Sequence, residues 1–185
     1  VRGIAFATSV SEATYLPFDD NDYFSLVQGA MENEETVKVC YDLKQLKHIF
    51  LQKGIQIRGK VFDVQLAHYL LDPEARHYFD FIVSSVLSQH LDESEADYPY
   101  LAAECLLRMY QPMRQKLIDN DMIALYNEVE IPLVDVLVKM DEFVARGADA
   151  VVALHRMLSR KLIEVVIDGI SPRTCSSQGG AGRGQ

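Results

Sequence analysis

The sequence predicts an α/β fold whose second half is a helical layer, and three observations carry that expectation. Short β-branched and aromatic runs separated by turn residues open the chain, and helix and strand signatures alternate from Thr36 to Leu71. From Tyr78 onward no run reads as a strand.

Gly3 to Thr8 and Ala13 to Phe18 read as two strands of a hairpin joined by the polar turn Ser9 to Glu12. Asp19 to Asp22 signals a helix start, and the helix carrying Tyr23, Phe24, Leu26 and Val27 should stop near Gly29 to Asn33. Thr36 to Cys40 gives a third strand. Asp42 opens the next helix, because its carboxylate can accept from amides of the first turn and Gln45 follows three residues later. Leu43, Leu46, Ile49 and Phe50 share a face of that helix, and Gly54 ends it. Ile55 to Phe62 alternates as a fourth strand, after which Asp63 caps a short helix, Val64 to Leu71, terminated by Pro73.

Beyond the acidic loop of Asp92, Glu93, Glu95 and Asp97, the expected helices are Tyr100 to Met109, a segment around Pro112, and Met122 to Glu130. A further helix follows Pro132 and aligns Leu133, Val136, Leu137, Met140, Phe143 and Val144 on one stripe before Gly147, the strongest periodic signal in the chain. Val151 to Ile167 is apolar enough for one more. Ser171 to Gln185 holds four of the ten glycines and should be a disordered tail.

The 185 residues can bury a core of one domain or a little more, at 49% hydrophobic and 24% charged. With 27 acidic and 18 basic side chains the net charge is −9, and no cationic stripe appears, which disfavours a freestanding nucleic-acid binder. No apolar run approaches the roughly 20 residues that cross a bilayer, and Val1 begins no signal-like segment, so a cytoplasmic chain with no membrane partner is expected. Cys40, Cys105 and Cys175 show no C-x-x-C spacing, which supports neither a disulfide framework nor a zinc site.

Three phrases come in an informative order. Val39-Cys-Tyr-Asp-Leu-Lys-Gln-Leu-Lys-His-Ile-Phe50 is followed by Gly54-Ile-Gln-Ile-Arg-Gly-Lys-Val-Phe-Asp63 and by Ala67-His-Tyr-Leu-Leu-Asp-Pro73. Together they resemble the 3′-5′ exonuclease domain of bacterial DNA polymerase I, family A. Glu130-Ile-Pro-Leu-Val-Asp-Val-Leu137 and Met140 to Gly147 resemble the helix that leads from that domain into the polymerase domain, so the likeness covers about residues 1 to 150. Ile170-Ser-Pro-Arg173 is faintly similar to the family's Asn-Ser-Pro-Lys phrase, and the Gly/Ser tail departs from it, which reads as a truncated or altered end.

The resemblance implies a ribonuclease H-like fold, a mixed sheet with flanking helices and a helical C-terminal part. It implies residues 1–128 as an exonuclease-like domain lacking its first strand, 129–170 as helices leading into the polymerase domain, and 171–185 as the tail. The family hydrolyses phosphodiesters with two magnesium or manganese ions held by four carboxylates. The first two lie on an Asp-x-Glu strand just before the hairpin with which this chain begins, and so outside these 185 residues. The second motif, Asn-x-x-x-Asp, falls on Asp42 to Leu46, with leucine at the metal-binding position. The third, Tyr-x-x-x-Asp, falls on Leu101 to Cys105, where both named positions differ. A thiolate is a soft ligand poorly suited to magnesium, and Glu104 is one residue out of register, about 100° around a helix.

The implied reading is a degenerate exonuclease domain with no catalytic, cofactor-binding or metal residue in this chain. Asp42, Leu46, Leu101 and Cys105 mark the altered motif positions. Its role would be structural, beside the polymerase domain of an enzyme that synthesises DNA in replication and repair. DNA would be a partner of the intact enzyme and bind weakly or not at all to this chain. Two alternatives stand beside it: a nuclease using Asp42, Asp63 and Glu104, and a helical interaction module docking through the Leu133 to Val144 stripe. The residues themselves weigh against chemistry. Asp42 and Asp63 stand at helix starts as caps, and Cys105 lies amid Ala103, Leu106 and Leu107 as core. His77 and His90 with Asp80 and Asp92 match no metal spacing.

Overall fold

The computed structural model describes residues 3–17 and 21–148. The chain divides into two compact units, Val1–Met140 and Asp141–Gln185. The expected helix at 151–167 and the tail at 171–185 lie outside the described residues.

In the first unit, β1 (Gly3–Ser9) and β2 (Glu12–Pro17) form the expected antiparallel hairpin, with Ile4 opposite Leu16 and Phe6 opposite Thr14. Ser11 takes a positive φ in the tight turn, and Ser9 Oγ donates to Glu12 across it at 2.8 Å. The inward residues Ile4, Phe6 and Leu16 pack on Val27 and Met31 of α1 (Asn21–Glu32) and on Phe50 of α2 (Leu43–Gln52). Between those helices lies β3 (Lys38–Cys40), which pairs in parallel with β4 (Val61–Asp63). A parallel pair needs a crossover, and α2 supplies it.

The fourth strand is shorter than its alternation suggests. The Ile55 amide bonds to Phe50 O and the Arg58 amide to Met31 O, so this backbone is satisfied by the ends of α2 and α1 rather than by a neighbouring strand. Ile55 and Ile57 alternate because they fill the core beneath the hairpin. Gly59 then turns the chain with φ +77°, where a Cβ would meet the Glu34 backbone at 2.6 Å.

Next come α3 (Val64–Leu71), α4 (Phe79–Leu87) and the 22-residue α5 (Tyr98–Asp119). The expected helix Tyr100 to Met109 and the separate segment around Pro112 are one helix. Proline removes one intrahelical bond, yet Cys105, Met109, Met113 and Leu117 recur every four residues on a fully buried face, and that packing carries the helix across it. With Phe62, Val64, Ile82 and Val83 they form the main core.

After α6 (Ile123–Leu125), residues Tyr126–Glu130 form a π-helical turn, and residues 131–140 continue as helix. The helices expected over Met122 to Glu130 and after Pro132 are thus contiguous: Pro132, which has no amide hydrogen to donate, lies inside the continuous helix, directly after the π-helical turn where the hydrogen-bond register changes. The buried side chains here are Val134 (4% exposed) and Val138 (5%), which pack with Cys40 and Leu43. The stripe picked out by periodicity faces outward here: Leu133, Val136, Leu137 and Met140 are exposed. In the second unit, residues 141–148 are helical, and Phe143 and Val144 are exposed there too. Among the described residues no helix is long and apolar enough to cross a membrane.

Candidate functional site

The β3–β4 pair ends where two helices begin, and Asp42 and Asp63 stand at that junction. Asp42 is the N-cap of α2. It adopts φ 55°, a left-handed conformation that aspartate tolerates better than most residues, and its carboxylate accepts from the Gln45 amide at 3.0 Å. Asp63 is the N-cap of α3, as expected, and does more than the sequence indicated. One carboxylate oxygen accepts from the Gln65 and Leu66 amides at 2.8 and 3.3 Å, while the other accepts from the Leu43 amide of α2 at 2.7 Å. A single buried side chain therefore caps two helices that start 21 positions apart.

Tyr126 completes the junction. Its hydroxyl accepts from the Asp63 amide at 2.6 Å and donates to the Asp63 carbonyl at 3.1 Å, tying the π-helical turn to the strand end. Burial holds the Asp63 carboxyl above its ordinary range, with the three amides opposing that rise and the Asp42 charge adding to it. Burial likewise raises the Tyr126 hydroxyl, which remains protonated.

The other motif positions hold apolar or neutral side chains. Leu46 is partly buried, packed both against the cluster under the hairpin and against the Cys40, Leu43, Val134 and Val138 cluster. Leu101 packs against the main core, and Cys105, 1% exposed, lies within it. Burial raises both the Cys105 thiol and, more strongly, the Cys40 thiol, for which Asp63 and Asp42 add to the effect. Both thiols are therefore neutral at pH 7. Leu46 and Cys105 belong to different apolar clusters.

The histidines are arranged differently from the His77, His90, Asp80 and Asp92 set considered from the sequence. Asp80 accepts from the Tyr98 hydroxyl at 3.2 Å, and Asp92 accepts from Ser94. His77 pairs instead with buried His68, Nδ1 to Nδ1 at 2.9 Å. Ser85 Oγ donates to Ile82 O at 3.0 Å, so it turns a lone pair toward His68 Nε2 at 3.4 Å and assigns the His68 hydrogen to that nitrogen. His68 Nδ1 then accepts from His77. Nothing in the local sequence signals this pair, because His68 lies on α3 and His77 in the connection beyond it.

Comparison with known proteins adds the lineage. The chain is 29% identical over 127 residues to DNA polymerase I of Geobacillus stearothermophilus, covering 59% of this chain and 14% of that protein. It is 26% identical over 155 residues to DNA polymerase I of Bacillus subtilis, covering 70% and 17%. It thus spans less than one fifth of the length of these curated relatives. A solved structure described as the POL domain of Pol1 from M. smegmatis, in complex with DNA primer-template and dNTP, superposes with a TM-score of 0.64. That likeness has 21% identity over 70% of this chain and 23% of the other, and it concerns the fold. The sequence model of the family described as DNA polymerase I, ribonuclease H-like domain, matches residues 1–98, more than half the chain, Asp42 and Asp63 included. The chain belongs to that family.

Proposed function

We propose that this chain is a structural, catalytically silent form of the exonuclease-like domain of a DNA polymerase I, supporting a polymerase that acts in replication and repair. The observation that carries this reading is the packing of Leu46 and Cys105. The first joins two apolar clusters and the second lies in the main core, where the family pattern calls for metal-binding carboxylates. The residues present do not fit a pair of hard divalent cations. Leucine offers no ligand atom, the Cys105 thiol is neutral and soft, and all three backbone amides facing Asp63 bond to its oxygens. The alternative of a nuclease built on Asp42, Asp63 and Glu104 is weakened by the same capping bonds. The exposed face of Leu133, Val136, Leu137 and Met140 supports a docking role for the helix, with the polymerase domain of the same protein as its partner.

The test is a labelled single-stranded oligonucleotide incubated with the chain in magnesium or manganese. Its length should not change, and binding at physiological salt should be weaker than micromolar for a chain of net charge −9. Metal-dependent shortening that disappears in Asp42→Ala would overturn the proposal.

A further inference from the structure

A cleft of about 650 Å³ opens among the start of β4, the second half of α5 and the π-helical turn, and none of the motif positions lines it. Tyr110 and Ile123 contribute to an apolar wall, while Gln111, Asn127, Lys60 and Arg114 supply polar groups. Its volume falls in the range of about 300–1,000 Å³ typical of small-ligand sites.

The charge at this place is the reverse of the chain's. Among the described residues that line the cleft there is no acid, although the chain carries nine net negative charges. Elsewhere Lys38 is held by the carbonyls of Asn33 and Arg58, Lys47 by Asp135, and Arg108 by Gln89. Lys60 and Arg114 have no carboxylate partner among the described residues. The backbone that presents Lys60 is fixed, and Arg114 stands on α5. Gly59 lies tight against Glu34, and the Lys60 carbonyl accepts from the Lys38 amide at 3.0 Å. Asn127 stands in the π-helical turn, a form of helix that recurs at functional sites.

We propose that this cleft binds a small organic anion. An apolar planar body would lie against Tyr110 and Ile123, with one carboxylate, sulfonate or phosphate group held by Lys60 and Arg114 and a polar edge toward Gln111 and Asn127. Two positive groups beside a partly desolvated wall make charge-assisted bonds stronger than they would be on open surface. The inference is independent of the proposed function, since it uses none of the exonuclease-like positions.

Anilinonaphthalene sulfonate, a fused aromatic ring system with one sulfonate, is the probe, and phenylnaphthylamine is its uncharged counterpart. Titrating the full chain should give one saturable fluorescence increase. Lys60→Gln with Arg114→Gln should weaken it about tenfold while the melting temperature holds, because both residues are exposed. The uncharged probe should bind more weakly and be indifferent to the double change. Phe143→Ser, on the exposed helical stripe, should leave the anion's affinity unchanged. Equal affinity in the double variant, loss in Phe143→Ser instead, or no saturable binding by the parent would each overturn the proposal.

Discussion

Asp63 shows how much one side chain can organise. A buried carboxylate is costly to keep ionised, and here the cost is offset by three amide donors that belong to two different helix starts. Asp63→Ala would remove a cap and leave the Leu43 amide, whose residue is fully buried, without its acceptor. The expected loss is roughly 2–4 kcal/mol in denaturant unfolding, summing a cap and an orphaned buried donor. A change below about 1 kcal/mol would mean that water or a shifted backbone replaces the bonds. The capping half of this role was legible, because an aspartate before an apolar helical run is a local signal. The Leu43 bond and the Tyr126 bridge span 20 and 63 residues, and no short-range pattern reports them.

At the scale of elements, the hairpin, α2 and α3 were readable because turn residues, caps and periodicity agreed there. The helix break at Pro112 was misread for a physical reason. A proline disfavours a helix interior without forbidding one that buries Cys105, Met109, Met113 and Leu117 in line. Periodicity shows that apolar residues share a face; it does not say which of two apolar faces meets the core, and the narrower face of Val134 and Val138 does. The His68–His77 pair carries an element-scale prediction, since it ties α3 to the connection before α4. Burial first, then the His77 and Lys116 charges, hold His68 below its ordinary value of 6.5, with Asp72 opposing. Protonating His68 Nδ1 would also set one N–H against another. A histidine depressed in the folded state contributes stability that is full above the unfolded value and declines as pH falls below it. Between about pH 7 and pH 5 the unfolding midpoint of the parent should therefore fall more steeply than that of His68→Gln. Parallel curves would show that the pair titrates alike in folded and unfolded chains.

For the molecule as a whole, the proposed reading of an α/β domain kept for its shape and its contacts draws together the apolar side chains of Leu46 and Leu101, the capping bonds of Asp63 and the exposed face of Leu133, Val136, Leu137 and Met140. The family resemblance was legible in the phrases from Val39 to Pro73, whereas the cleft beside Lys60 and Arg114 was not, because it assembles from residues far apart in sequence. The account's central claim is that the scaffold holds no metal centre. The most direct test is the thermal midpoint of the parent in rising manganese, beside that of a Leu46→Asp, Cys105→Asp double variant. The double variant should be the less stable without metal, since it buries carboxylates with no counter-charge, and should recover with manganese by linkage if the two positions face one site. The parent midpoint should not move. A parent that is stabilised saturably by manganese, and loses that response in Asp42→Ala, would contradict the account.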